Sequence, residues 1–402
     1  MYALEGITVV SLEHAIAAPL ASRHLADQGA RVIKVERPDG GDFARRYDSR
    51  ARGLASHFVW VNRSKESICL DLKDPQGAAV LARLIQRADV FLQNLAPGTC
   101  ASLGFGTEAI HALNPRCITC SISGYGVGGP YDHRKAYDLL IQGESGVLSV
   151  TGTNATLCKA GIPVGDISAG MYAYCNILTA LMERRRTGTG RHIEVSMLDS
   201  LVEWMGYPLY YAIDGQPPPA RTDAAHATIF PYGPYTTADG KSVLIAVQND
   251  REWHVFCIVV LRNEELPSAA PYATNSQRHA ARELLQPVIA EAIAALSSAE
   301  LIERLEAGGI AFSRARTLDE VWAHPQLQAR GRFTEVETPG GPVPALLPPG
   351  ADAHDVCMNP VPALGEHTAA VLAWLERTQA AAAAGQIADN SSVPSSQGKS
   401  RI

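Results

Sequence analysis

Long apolar runs are missing from this chain of 402 residues: the most notable one, Val255 to Leu261, falls far short of the roughly 20 residues that cross a bilayer. No membrane-spanning segment is therefore expected. Charge of one sign is also missing. Lys and Arg number 35 against 41 Asp and Glu, a formal net charge of -6, which argues against a general nucleic-acid binder. Charged residues make up only 19% and hydrophobic ones 46%, a balance that excludes a disordered chain. Eight cysteines, at positions 69, 100, 117, 120, 158, 175, 257 and 357, lack the dense spacing of a disulfide scaffold, so reduced thiols inside a cell are the expectation. Nor is there a basic-then-apolar leader, because Ile7-Thr8-Val9-Val10 already reads as a strand. What remains is a soluble, cytoplasmic, globular protein of two or three domains, at about 150 residues per domain.

What is present is alternation of strand and helix signals. Ile7 to Leu12 reads as a strand, Pro19 opens a helix that Gly29 ends, and Arg31 to Val35 reads as a second strand. Ser67 to Leu72 is a third strand. Asp74-Pro75 then supplies an N-cap and a first-turn proline for a helix to about Ala88, followed by a strand over Asp89 to Gln93. The unit recurs with a helix over Glu108 to Leu113 and a strand over Cys117 to Ser121. Such alternation implies an α/β fold, a doubly wound parallel sheet of Rossmann type covered by helices on both faces. A long helix follows from Ile167 to about Arg186, ended by Gly188 and Gly190, and another spans Val195 to Trp204.

Composition shifts over residues 214–240, rich in Pro, Gly and Thr, which marks a domain junction. The expected organisation is a large domain beginning with residues 1–213, a smaller α+β domain over 225–322, a return to the large domain over 323–378, and a disordered tail over 379–402. Lys241 to Gln248 reads as a strand of the small domain, 276–296 and 298–307 as its helices, and Glu366 to Arg377 as a last helix of the large one.

Several motif matches fail on inspection. Gly124, Gly126 and Gly129 satisfy G-x-G-x-x-G after a strand, but Pro130, Asp132 and His133 follow where a helix should open. The first strand-to-helix turn, Glu13-His14-Ala15-Ile16, has no glycine to approach a dinucleotide phosphate. Cys117 and Cys120 form C-x-x-C, yet three residues apart on a strand they point to opposite faces, and no second pair completes a zinc site. Gly143-Glu144-Ser145-Gly146 is followed by Val147, so there is no G-x-S-x-G elbow.

Two features survive. Between Arg31 and Lys65 lie nine basic residues against four acidic ones, in an otherwise acidic chain, which reads either as an anion site or as a solvated loop with scattered ion pairs. The second is Asp166, at the N-cap position of the long helix within Gly165-Asp166-Ile167-Ser168-Ala169-Gly170. A carboxylate there faces free backbone N–H groups and the positive end of the helix dipole, and so stays ionised. An ordinary cap is one reading. The flanking glycines leave room for a bulky substrate, as a carboxylate nucleophile requires, which is the other.

From about Leu4 to Arg377 the chain resembles the class III CoA-transferases, the CaiB/BaiF or formyl-CoA transferase type. The resemblance is carried by Leu4-Glu5-Gly6-Ile7-Thr8-Val9-Val10, Gly29-Ala30-Arg31-Val32-Ile33-Lys34-Val35-Glu36, Gly41-Asp42, Asp71-Leu72-Lys73, Asn94 with Pro97-Gly98, Leu113-Asn114-Pro115-Arg116, Gly165-Asp166 and Leu364-Gly365-Glu366-His367-Thr368. It implies that Asp166 is the nucleophile: it attacks an acyl-CoA thioester to give a mixed anhydride, and the CoA thiolate returns to form an aspartyl-CoA thioester. No ATP, metal or permanently bound cofactor is implied, coenzyme A entering only as acyl-CoA substrate. The resemblance further places Arg37, Leu72, Lys73, Asn94, Pro97, Gly98 and Lys135 around CoA, and Tyr137 near the reacting centre.

Departures from the family narrow the substrate. The active-site glutamine of the formyl- and oxalyl-specialised member corresponds to Ile16, and its run of glycines is replaced by a segment beginning at His226, so formate and oxalate are not expected. Acyl-CoA racemases share the fold, but their catalytic histidine corresponds to Tyr137, a poor base at neutral pH with a reference pKa of about 10. Ser11 to Pro19 and Gly41 to Tyr47 resemble the branch that moves CoA from succinyl-CoA to small dicarboxylates: itaconate first, then mesaconate, citramalate or glutarate. A second carboxylate calls for a bidentate partner among Arg45, Arg46, Arg50 and Arg52. The same resemblance implies an interlaced homodimer. Ser400-Arg401-Ile402 is similar to a Ser-Lys-Leu peroxisomal address, an alternative to the cytoplasm. A racemase of the same fold and a non-catalytic CoA-binding protein remain the competing functions.

Overall fold

The computed structural model describes residues 2–390, so the Ser400-Arg401-Ile402 tripeptide lies outside the described residues. The chain divides into two compact units, one of Met1–Ile141, Pro163–Glu203 and Gly331–Ile402, the other of Gln142–Ile162 and Trp204–Arg330.

The first unit is built on six strands: β1 (Thr8–Leu12), β2 (Arg31–Glu36), β3 (Lys65–Cys69), β4 (Val90–Gln93), β5 (Ile118–Ser123) and β6 (His192–Ser196). They lie in the order β3-β2-β1-β4-β5-β6 and every pairing is parallel. Strand order reverses between β1 and β4, which opens a crevice at the carboxyl ends of the strands, the place where open α/β sheets receive ligands. Val9, Val10, Val32, Ile33, Phe91 and Leu92 are buried, as a sheet covered on both faces demands.

Helix signals hold where the caps are local. α1 (Ala17–Asp27) follows β1, and α2 (Pro75–Ile85) starts at Asp74, whose carboxylate accepts the Gln76 N–H at 2.9 Å. α3 (Val164–Thr187) ends at Gly188, which takes the left-handed conformation at φ 76°. α1 and α3 approach closely at Gly170, where a Cβ would lie only 2.7 Å from the Ala17 carbonyl oxygen.

Three expectations are corrected. β3 begins two residues earlier than the run Ser67 to Leu72, because Lys65 is drawn into the sheet by a buried ion pair with Glu13 at 2.7 Å. β6 falls partly where a helix was expected from Val195. Its short alternation, with Ile193 and Val195 buried and His192 and Glu194 exposed, is the half-covered pattern of an edge strand, and the helix opens only at Met197. The last helix runs over Thr368–Asn390, into residues expected to be tail, since the alanine run at 380–384 is an intrinsically strong helix former.

The second unit begins at Trp204 and also takes in 142–162, rather than opening at 225. Its three-stranded antiparallel sheet, β7 (Tyr232–Thr236), β8 (Ser242–Ala246) and β9 (Ala311–Arg314), packs a core with Trp253, Phe256, Ile289 and Leu301 from the helices Asp250–Phe256, Arg282–Ala294 and Ser298–Gly308. It reaches Arg330, and Phe333–Val336 pairs with Val343–Leu346 in the first unit. No single helix among the described residues is long and apolar enough to cross a membrane.

Candidate active site

The β1–α1 turn, Glu13 to Ile16, is held by side chains from other strands. Asn94, just beyond β4, accepts the His14 N–H at 3.0 Å and donates to the His14 carbonyl at 2.9 Å. Asp42, in the loop after β2, accepts the Ala15 N–H at 3.1 Å and the Ala44 N–H at 2.9 Å through one oxygen. Its other oxygen meets the Lys34 ammonium at 2.7 Å, with both side chains fully buried. Burial opposes ionisation of Asp42, but Lys34 and the two N–H donors hold its pKa below the ordinary carboxylate value.

These contacts belong to a larger buried network. Glu13 pairs with Lys65 at 2.7 Å and accepts Ser22 Oγ at 2.7 Å. Glu36 accepts two N–H bonds from Arg45, at 2.8 and 2.7 Å, and Ser67 Oγ at 2.6 Å. Three acids face three bases, so the network is close to neutral as a whole.

Asp166 sits in the first turn of α3, whose N-cap is Pro163 with no side-chain cap, which corrects the N-cap position expected for Asp166. Its turn instead packs against the start of the neighbouring helix, where Ile167 touches Ile16, the N-cap of α1, and Gly170 closes on the Ala17 carbonyl. The carboxylate does not stay fully ionised as expected for a cap. Burial and the negative charge of Asp138 push its pKa up to about 7, against the lowering pull of the Ala17 N–H. Asp138 is fixed in turn by accepting the Gly165 N–H at 2.8 Å. Once ionised, a carboxylate of raised pKa that is stripped of much of its water is a stronger nucleophile than a solvated one.

A cleft of 630 Å³ opens at the carboxyl ends of β1, β2 and β3. Arg37, Leu72 and Lys73 line it, as expected for CoA contacts, with Leu95 and Thr99 from the loop that carries Pro97 and Gly98. Arg37 and Lys73 are exposed, which leaves their charges available to phosphate groups at the mouth. Asn94 works by clamping the β1–α1 turn. Lys135 is exposed in the loop before Tyr137, itself exposed.

The arginines separate into different roles. Arg45, expected to hold a substrate carboxylate, is engaged: Glu36 takes it bidentately, Pro362 accepts from it at 3.3 Å, and its guanidinium lies 3.8 Å over the Phe58 ring. A second carboxylate would have to displace Glu36, which corrects that assignment. Arg46 is exposed and donates to the Gly40 carbonyl at 3.2 Å, while Arg50 and Arg52 are exposed. Ile16 is buried against Leu20, Val61 and Ile167. His226 belongs to the second unit, where its Nδ1 accepts from the Thr228 and Ile229 amides at 3.1 and 3.0 Å and its ring stacks on Tyr232.

Sequence reasoning missed Tyr47, Asp42 and His14 as individual site residues. Burial, then Asp42, Asp166 and Tyr137, push the Tyr47 phenol up to about 12, so it stays a hydrogen-bond donor near Asp166. His14 lines the cleft edge-on to Phe43, at 4.6 Å between ring centres, and burial keeps it neutral by lowering its pKa.

Residues 4–368 match the model of CoA-transferase family III, and the chain belongs to that family. The fold and site thus define an enzyme, a class III CoA-transferase. It is 36% identical to the succinate–glutarate CoA-transferase of Agrobacterium fabrum, over 93% of this chain and 96% of that one. It is 34% identical to the succinyl-CoA:mesaconate CoA-transferase of Haloarcula hispanica, over 85% of this chain and 87% of that one. Among solved structures, a CaiB/BaiF family protein from Brucella suis superposes with a TM-score of 0.82 at 33% identity, covering 93% of this chain and 99% of that one.

Proposed function

We propose that the enzyme transfers CoA from succinyl-CoA to a small dicarboxylic acid, with Asp166 as the acyl acceptor. The observation that carries this reading is the half-buried Asp166 carboxyl, set beside the start of α1 where Ile167 packs on Ile16, with its pKa pushed up to about 7. Its oxygen attacks the thioester carbonyl, the C–S bond breaks, and a succinyl–aspartyl anhydride and CoA thiolate result. The thiolate attacks the aspartyl carbonyl, releases succinate and leaves an aspartyl-CoA thioester. The incoming carboxylate reverses both steps and departs as its CoA thioester. Each activated bond is exchanged for another of similar energy, so no further co-reactant is needed. The Tyr47 phenol supplies a neutral donor near the developing oxyanion.

For the acceptor, glutarate stands first, because a relative of that name aligns over nearly the full chain, and mesaconate next. Itaconate and citramalate share their five-carbon dicarboxylate frame and stay on the test panel. With Arg45 engaged by Glu36, the distal carboxylate is assigned to the exposed group Arg46, Arg50 and Arg52. The working form is proposed to be an interlaced pair of chains, in keeping with apolar side chains exposed at Tyr207, Leu209 and Tyr210.

Mass spectrometry after succinyl-CoA, with hydroxylamine or borohydride trapping, tests the reading. An adduct mapping to Asp166 and lost in Asp166→Ala is the expected result. Full exchange activity in Asp166→Ala would overturn it, and solvent deuterium entering an acyl-CoA without any second acid would favour a racemase.

A further inference from the structure

The turn that leads into α1 is strained. Ala15 has φ 61°, in the left-handed region that an alanine occupies only against steric opposition and a glycine enters freely. Strain of this kind persists where surrounding contacts over-determine it, and it gathers at functional sites. The contacts here are specific. The Ala15 N–H is gripped by Asp42 at 3.1 Å, and the preceding residue, His14, is clamped on both sides by Asn94. Asp42 is itself immobilised, by the Lys34 ammonium at 2.7 Å and by its own N–H donating to Glu36 at 2.9 Å. One residue beyond Ala15 is Ile16, the N-cap of α1, which packs on Ile167 beside Asp166, and the next is Ala17, whose carbonyl lies against Gly170. Since no glycine is available in the turn to relax it, the path of the backbone into α1 depends on Asp42.

We propose that Asp42, anchored on Lys34, is a positioning residue for the transfer reaction, holding Ala15 left-handed so that the first turn of α1 keeps its place against the turn that carries Asp166. Asp42 touches neither acyl group nor thiolate in this scheme; it acts through the turn. The proposal rests on Asp166 being the acyl acceptor. The titratable groups coupled to Asp166 are Asp138 and Tyr47; Tyr47 also feels the charge of Asp42, which Ala15→Val leaves in place.

The test is the pH profile of CoA exchange in the full-length enzyme for Asp42→Ala, Ala15→Val, and Asp42→Ala combined with Ala15→Gly. Displacing the start of α1 takes away the lowering pull of the Ala17 N–H on Asp166, so the acidic limb of log kcat moves to higher pH, by about half a unit or more, and the misplaced carboxyl lowers the plateau as well, so that kcat at pH 7 falls about tenfold or more. Ala15→Val, which leaves every ion pair intact, gives the same displacement because a β-branched residue resists the left-handed region. Adding Ala15→Gly to Asp42→Ala restores most of the rate and returns the limb, which a merely structural loss would not do. Wild-type limbs in both Asp42→Ala and Ala15→Val overturn the proposal, as does failure of glycine to rescue a folded Asp42→Ala. Should Asp42→Ala not fold, Ala15→Val decides alone. Asp166→Ala measured alongside separates the two readings: if it is inactive while the other variants behave as wild type, only the positioning role falls.

Discussion

The Ala17 carbonyl oxygen of α1 lies so close to Gly170 of α3 that a Cβ there would come within 2.7 Å of it, which sets the starts of the two helices side by side at Asp166. Burial and the negative charge of Asp138 raise the Asp166 pKa against the lowering pull of the Ala17 N–H.

A raised carboxyl pKa lowers stability as it ionises. Between the unfolded value near 3.8 and the folded value of about 7, the folded protein binds more protons than the unfolded chain, so stability falls as pH rises through that window and is level above it. Asp166→Asn removes this loss. Denaturant unfolding should find the variant more stable than the parent at pH 8, by about 2 kcal/mol after allowance for partial exposure, and equal to it near pH 4.

Exchange activity should rise with pH through an apparent pKa of about 7, as the attacking form of Asp166 appears. Asp138→Asn keeps an acceptor for the Gly165 N–H but removes the neighbouring charge. Its acidic limb should move to lower pH, measured as kcat/KM for succinyl-CoA from pH 5 to 9. An unmoved limb would mean that Asp138 does not set the Asp166 titration.

Gly170→Ala would place a methyl carbon 2.7 Å from the Ala17 carbonyl oxygen and 3.2 Å from Leu20. The two helices must separate, at a cost of about 2 kcal/mol, and the start of α1 moves away from Asp166. Thermal melts and turnover should both fall, with turnover reduced about tenfold or more. A variant that melts lower but turns over normally would uncouple helix spacing from the reaction.

Arg45→Met should behave as a stability variant. It leaves Glu36 buried without its bidentate partner, which costs about 3 kcal/mol, while the KM for the acceptor acid stays within about twofold. Arg37→Ala, at the exposed mouth of the cleft, should do the reverse. The melt is unchanged, the KM for succinyl-CoA rises about fivefold, and the difference shrinks at high salt.

Much of the first unit was legible in the sequence because its signals are local. Asp74-Pro75 starts α2 and Gly188 ends α3, each through hydrogen bonds or backbone freedom within a few residues. Apolar runs such as Val9-Val10 and Val32-Ile33 announce a sheet covered on both faces. The edge strand β6 escaped notice because only two buried side chains alternate before a helix begins.

The sequence by itself determined the parallel α/β plan, the helix boundaries that carry their own caps, and, through matching segments along nearly the whole fold, the family. Only the tertiary structure decided that Asp166 is half-buried with its pKa near 7, that Arg45 is engaged by Glu36, and that Ala15 is held left-handed by Asp42. The reason is physical. Periodicity and capping act between residues a turn or two apart, whereas desolvation and charge depend on distances that arise only when separate strands and helices are packed together.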